Sequence, residues 1–403
     1  MAGITGQGTT FNLPNFVGEL FAVTPTDTPF LSMIGGLSGG ERANSTLFQW
    51  QGYDLRDADE NRQRVEGANA PTAESRVRFN QTNVVEIHQE AVEVSYTKQA
   101  ATGQYNSTGS NHPGSVGISG ANPVLDELDW QVQRHLEQIA RDVERSFIVG
   151  QFQNPSDNNT PRKTRGIMQA TATNVSALGT LKGTATIAAS NETFTLSAHG
   201  MANGTAVTVT NLTGGAVGVL KENELYYVTN TATNTFTLAP KAGGSTIAFS
   251  VDGGADVYTA TQLTEAILLD LLQDIWTSGG IQVSETATLM CGATAKRRLT
   301  KVFITDKGFQ EQSRTVGGVR CMTIETDFGT LNLVLNRYMP TAAIQVVSAE
   351  ECAPTFLDIP GKGFLFQEPL AKVGAADRQQ IYGEVGLKYG NEKKHGKLLR
   401  VSA

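Results

Sequence analysis

Residues 54–75 (DLRDADENRQRVEGANAPTAES) separate two groups of strand-like segments and contain only Leu55 and Val65 as large apolar side chains. Before them Leu47, Phe48, Trp50 and Tyr53, and after them Val77/Phe79, Val85/Ile87 and Val92/Val94/Tyr96, follow the period-two spacing of extended chain. Ordering the intervening backbone costs on the order of 1 to 2 kcal/mol per residue, while burying one Leu and one Val returns roughly 1.5 to 3 kcal/mol apiece. The stretch cannot hold itself in place. It is either a mobile surface loop or an arm laid on another molecule. Asp57, Asp59, Glu60, Arg62, Arg64 and Glu66 alternate in sign in a way that suits polar contacts to a neighbour, so these six are candidate interface residues.

The 403 residues suffice for two or three units with a real core. A net charge of -7 argues against tight nucleic-acid binding through counterion release, although a wall that encloses nucleic acid without gripping it remains compatible. Cys291, Cys321 and Cys352 form no C-x-x-C pair, which supports neither a disulfide framework nor a zinc knuckle; they read as small core or strand residues. No apolar run approaches the ~20 residues of a membrane span, and the N-terminus lacks a signal pattern. A chain made and kept in a reducing cytoplasm is expected.

From Leu178 to Thr259 the composition shifts: this stretch has no Arg, Cys, Trp or Gln, and only eight charged residues. Alternating runs (Phe194/Leu196, Val207/Val209, Phe236/Leu238, Ile247/Phe249/Val251) between turn signals such as Asn203-Gly204 predict a separate small all-β sandwich or barrel whose two ends lie close together. The repeated TFTL at 193–196 and 235–238 hints at two similar halves, or is a chance match between Thr-rich strands.

Ahead of it, Asn122 as N-cap and Pro123 at the first helical position open a long helix with Leu125, Leu128, Val132, Leu136, Ile139, Val143 and Phe147 on one face, stopped by Gly150. Its other face, with Asp129, Gln133, Glu137, Arg141 and Glu144, reads as solvated. Thr261 or Thr264 caps a second amphipathic helix closed by Gly279-Gly280. A strand (TATLMCG), a basic helix (ATAKRRLTKVF), a hairpin across 326–329 and strands over 343–347 and 381–389 complete an α+β body.

Motifs that could carry chemistry lack their context. Gly36-Leu37-Ser38-Gly39-Gly40 matches G-x-S-x-G, but no parallel sheet precedes it to present a nucleophile, so a Gly-rich hinge is expected. Asp327-Phe328-Gly329 copies a kinase magnesium triplet without a Gly-rich loop or catalytic loop, and reads as a hairpin turn. Five histidines are scattered without metal-ligand spacing, and no nucleotide loop occurs, so no catalytic residue, metal or cofactor is expected. Lys296, Arg297 and Arg298, with Lys301, could touch phosphates; contacts to a neighbouring subunit's carboxylates are the favoured reading.

The order of parts, with FNLPNFVGELFAVTPTDTPFLSMIGG, TEAILLDLLQDIWTSGG, DFGTLNLVLNRYMP and LAKVGAADRQQIYGEVGLKYGNEKKHG as its marks, resembles the major capsid proteins of tailed double-stranded DNA bacteriophages with the Hong Kong 97 fold. The likeness covers residues 1 to about 170 and 260–403. It implies an α+β fold with an N-terminal arm (1–45), an extended hairpin loop (46–98) lying over an adjacent subunit, and a peripheral lobe with a spine helix at 122–150 and the start of the axial lobe (99–177). The inserted β domain (178–259), the axial lobe (260–340) and return strands of both lobes (341–403) would follow.

The implied function is structural. Pentamers and hexamers closed by head-to-tail contacts would form an icosahedral shell, assembled in the bacterial host cytoplasm, around double-stranded DNA that is held without sequence-specific contacts. Portal and scaffolding proteins would be separate partners, since no long helical N-terminal scaffolding segment is apparent; a decoration protein is a further candidate, and no membrane is involved. The alternatives are a host nanocompartment shell of the same fold, or a tail or receptor-binding protein whose β module binds sugar. Some relatives cross-link through a lysine in the hairpin loop. No lysine precedes Lys98 here, so noncovalent locking is expected.

Overall fold

The computed structural model describes residues 26–53, 55–56, 58–100, 127–283, 286–302, 312–316 and 319–402. Most of the N-terminal arm, the expected cap at Asn122 and Pro123, and Asp57 lie outside the described residues. The chain divides into two compact units: Met1–Asp27 with Ile87–Asp142 and Ile359–Glu384, and Thr28–Glu86 with Val143–Asp358 and Val385–Ala403.

The second unit opens with a short helix, α1 (Pro29–Met33), and a glycine turn through the G-x-S-x-G stretch, which follows a helix and not a strand. Gly40 is obligatory there: its φ is 121°, and a Cβ would sit 2.2 Å from the Pro354 carbonyl oxygen. Strand β1 (Glu41–Ala43) follows, then β2 (Leu47–Tyr53) and β3 (Arg78–Val84), which pair antiparallel from Leu47 opposite Val84 to Tyr53 opposite Arg78. Strand β4 (Glu86–Ser95) and α2 (Tyr96–Ala100) lead towards α3 (Glu127–Val149). Val132, Ile139, Val143 and Phe147 of α3 are buried, as the three- and four-residue spacing predicts, and Ile148, outside that stripe, is buried with them. Gly150 ends the helix where a Cβ would meet the Ser146 carbonyl oxygen at 2.3 Å.

One assignment on this helix is corrected. Glu144, placed by sequence on the solvated face, is completely buried, because Phe147 and Ile148 three and four positions on are both core residues and turn its face inward. Its carboxylate accepts the amide N–H groups of Phe30 (2.9 Å) and Leu31 (2.6 Å) at the start of α1, and the side-chain amide of Asn336. Glu144 of α3 thereby fixes the position of α1.

After α4 (Ile167–Ala170) and β5 (Val175–Ala177), strands β6 (Leu181–Ala188), β7 (Thr193–Thr195), β8 (Ala206–Gly214), β9 (Tyr226–Thr229), β10 (Thr235–Ala239) and β11 (Gly253–Thr259) close as a barrel in the order β10-β7-β6-β11-β8-β9. Closure removes exposed edges and turns alternate residues inward. Phe194 and Phe236 stack at 5.2 Å between ring centres, Phe249 meets Phe194 edge-on at 5.7 Å, and Ile187, Val207, Val209, Val228, Leu238 and Val257 fill the remainder. The two TFTL segments are antiparallel neighbours, with Phe236 directly opposite Phe194.

The barrel's ends lie side by side, the Thr259 N–H donating to the Thr180 carbonyl at 3.0 Å. Gly179, at φ 72°, permits this approach: a Cβ there would fall 1.8 Å from the Thr259 carbonyl oxygen. Both stems pair in parallel with the C-terminal segment, β5 with β21 (Gly396–Leu399) and β12 (Thr261–Gln262) with β22 (Val401–Ser402). A third attachment joins the loop after β8 to the body. Thr341 donates its N–H to Glu224 (3.0 Å) and accepts the Leu225 N–H on its hydroxyl (2.7 Å).

Helix α5 (Glu265–Thr277) ends in a Schellman turn, with Gly279 at φ 84° donating to the Trp276 carbonyl and Gly280 to that of Ile275. It packs with α6 (Ala293–Thr300) on a seven-stranded sheet of order β14-β15-β16-β13-β17-β21-β5. The new strands are β13 (Ala287–Cys291), β14 (Gln312–Val316), β15 (Val319–Thr326), β16 (Gly329–Leu335) and β17 (Ala343–Ser348). The Asp327-Phe328 hairpin turn joins β15 to β16. Leu268, Leu271, Leu272, Ile275, Leu289, Leu299, Leu333 and Ile344 form its core. Finally β18 (Ala353–Leu357) pairs in parallel with β1 and antiparallel with residues 385–388 of β20 (Ala376–Lys388). Within the first unit, β19 (Leu365–Pro369) pairs with residues 379–383 of β20.

Candidate assembly surfaces

The hairpin of β2 and β3 has a fixed root and an unsupported tip. At the root, Asn83 is buried and donates to the carbonyls of Leu387 (2.7 Å) and Arg165 (3.1 Å), while its side-chain oxygen accepts the Arg165 N–H at 2.8 Å. Trp50 donates its indole N–H to Gly390 and Gln81, both at 2.8 Å, and packs edge-on against Tyr389 at 4.8 Å. Phe48 lies over Gly386, where any Cβ would come within 2.7 Å of its ring.

Towards the tip this support ends. Tyr53, Leu55, Val65 and Val77 are 66–80% exposed, so even the two apolar residues of the tip return no burial energy. Phe79 covers Gly52 from across the ladder, a local contact that stiffens the limb without anchoring it. Some of the alternating charge is used inside the arm. Arg62 bridges Glu74 (2.7 Å) and Asp59 (3.5 Å), and Arg76 also binds Glu74 (3.0 Å). Hydrogen bonds from Arg62 and then Arg76 hold the Glu74 carboxyl below its ordinary value. The exposed Glu60, Arg64 and Glu66 make no ion pair among the described residues.

The second group of predicted interface residues separates. Arg298 turns inward to donate from Nε to the Leu263 carbonyl at 2.8 Å, and Lys296 lies 3.2 Å from the Met322 sulfur. Arg297 projects into solvent.

No group of His, Cys, Asp and Glu arranged to hold a metal occurs among the described residues. Burial pushes the Cys291 thiol up to about 12 and raises Cys352 further, which leaves both thiols protonated and unreactive. His395 is buried as a neutral ring: one nitrogen faces the Tyr389 carbonyl (2.8 Å) and the other accepts the Ser348 N–H (3.3 Å). These groups serve packing. The surfaces of interest are therefore those that another protein chain could cover.

The SU10 major capsid protein family model matches residues 3–402. The chain belongs to that family. An SU10-type major capsid protein is a structural component of the phage virion shell and not an enzyme. The major capsid protein of Escherichia phage Phieco32 is 24% identical over 389 residues, which cover 95% of this chain and 93% of that one. Among solved structures, the capsid of cyanophage A-1(L) superposes with a TM-score of 0.51 at 10% identity over 99% of this chain and 100% of the other. The capsid of a native GTA particle gives 0.50 at 12% identity over 100% and 99%. The fold is the Hong Kong 97 type, in agreement with the resemblance read from the sequence.

Proposed function

We propose that this capsid protein assembles as pentamers and hexamers into an icosahedral shell around double-stranded DNA, and that the tip of its arm is ordered by the adjacent subunit. The observation that carries the reading is the pairing of a buried root at Asn83 and Trp50 with a tip whose only large apolar residues stand in solvent. A polar tip of this kind gains register from a neighbour's charges more than it gains affinity. Asp59, Glu60, Arg62, Arg64 and Glu66 are the residues we assign to that contact. The DNA is enclosed without sequence-specific contacts, as a chain of net charge -7 favours. Locking is noncovalent, because the hairpin carries arginines but no lysine before Lys98 at its very end.

Portal and scaffolding proteins, and a decoration protein on the outer surface, are the further partners in this reading. We assign 178–259 as an inserted β domain, 46–98 as the hairpin loop, and the seven-stranded sheet with α5 and α6 as the core of the axial lobe. Electron microscopy of particles from the producing host, combined with nuclease protection of their contents, tests the proposal. Closed shells holding protected double-stranded DNA, whose subunits run as single-chain bands after boiling in denaturant, are expected. Protein-filled shells, or a ladder of linked subunits, would overturn the genome-enclosing or the noncovalent part respectively.

A further inference from the structure

The two helices on the seven-stranded sheet carry opposite charge on their outer faces. Asp270 and Asp274 are one turn apart on α5, both exposed, and α5 contains no basic residue. Arg297 and Lys301 are one turn apart on α6 and its C-cap, both exposed, and α6 contains no acidic residue. None of the four makes an ion pair among the described residues, whereas their neighbours Lys296 and Arg298 are engaged within the chain. Like charges at this spacing weaken a helix, and Asp274 also lies in the last turn, where the helix dipole disfavours a carboxylate. On α5 both terms are unfavourable, whereas on α6 the dipole favours Arg297 and Lys301 at the C-terminal end and offsets their repulsion, so the uncompensated stripe is the acidic one.

We propose that, within a ring of subunits, the Asp270/Asp274 stripe of one copy meets the Arg297/Lys301 stripe of the next. The inference rests on the shell reading above and deepens it by naming the partner surface. Rings close through head-to-tail contacts, which join two different surfaces of the same chain, and two stripes of opposite sign and equal one-turn spacing meet that requirement. Contacts of this type set orientation and register and exclude wrong neighbours more than they add affinity.

The experiment compares assembly of the wild-type chain with two reversed chains, Asp270→Lys/Asp274→Lys and Arg297→Glu/Lys301→Glu, and with the chain carrying all four changes. Each reversed chain is expected to lose at least about tenfold in particle yield, because like charges then face each other. The fourfold swap is expected to recover most of it. A one-to-one mixture of the two reversed chains can alternate around an even-numbered ring but not an odd one, so it should restore hexamers and not pentamers.

Wild-type yield from either reversed chain, or a swap that recovers nothing while its circular dichroism is intact, would overturn the contact. A wild-type chain that forms no shells would instead remove the reading beneath it. Should a reversed chain misfold, the milder Asp270→Asn/Asp274→Asn and Arg297→Gln/Lys301→Gln forms replace it. They are expected to raise the protein concentration needed for assembly about tenfold, and an unchanged concentration would overturn the proposal.

Discussion

The barrel over 181–259 and the hairpin over 47–84 are both antiparallel β structure, yet one supports itself and the other does not. The hairpin's ladder is continuous across seven residue pairs, so hydrogen bonding is not what it lacks. The barrel directs Phe194, Phe236, Val209, Val228, Leu238 and Val257 into a closed interior. The hairpin's tip has only Leu55 and Val65 to bury, and buries neither. Net stabilisation per backbone hydrogen bond is modest, and inward-facing apolar area decides which segment can stand alone. Under the proposed assembly, the segment that cannot stand alone is the one a neighbour would order.

Substitutions should separate the two regions by size of effect. Phe194→Ala or Phe236→Ala should lower the unfolding free energy by about 3–5 kcal/mol in a denaturant titration, since the stacked pair would leave a cavity in a closed core. A loss below about 1 kcal/mol would mean that the barrel interior is loosely packed. Next comes Glu144→Ala, which strands the Phe30 and Leu31 N–H groups and the Asn336 amide; about 3 kcal/mol is expected in the same titration. An effect within about 0.5 kcal/mol would return Glu144 to the solvated face.

A smaller effect should follow pH. Burial holds His395 below its ordinary value of 6.5, so the unfolded chain takes up the proton first and stability falls as pH drops below 6.5, down to the folded value. Glu351 and Glu392 behave differently. Burial is the largest single influence and pushes both up, but Lys394 with the Asn391 N–H at Glu351, and Thr173 with the Ala172 N–H and Lys393 at Glu392, together outweigh it, and their losses begin only as pH falls below about 4.5. His395→Asn should therefore flatten the stability curve between roughly pH 5 and 6.5 and leave the acid limb in place. An unchanged slope in that interval would exclude His395 as its source.

The smallest effect on the isolated subunit belongs to the tip. Arg62→Glu/Arg64→Glu should change its unfolding free energy by no more than about 0.5 kcal/mol and leave far-UV circular dichroism intact, while particle yield falls. Normal yield would count against the tip as an interface.

Much of the fold was legible in local pattern. Alternating apolar residues marked the barrel strands, three- and four-residue spacing marked α3 and α5, and Gly279-Gly280 marked a helix end that proved to be a Schellman turn. What sequence missed was long-range. The parallel pairings of β5 with β21 and of β12 with β22 join residues more than a hundred positions apart and leave no periodic trace in either strand. Strand β20 begins at Ala376, five residues before the expected start, because Asp377, Arg378, Gln379 and Gln380 lie on a half-exposed sheet and show no alternation. At the candidate surfaces, sequence located the charged groups but not their partners. Within the chain Arg62 also binds Glu74 and Arg298 donates to the Leu263 carbonyl, contacts that no local pattern announces. Glu144 is hidden for a simpler reason: an apolar stripe that ends at Phe147 omits Ile148, whose burial places Glu144 inside.

Hydrogen–deuterium exchange over residues 55–76, compared between dilute monomer and assembled shell, tests the dependence of the tip on its neighbour most directly. Rapid exchange in the monomer and strong protection in the shell are expected, with Asn83 and the barrel strands protected in both. Equal protection of 55–76 in the monomer would show a tip that supports itself and would contradict the account.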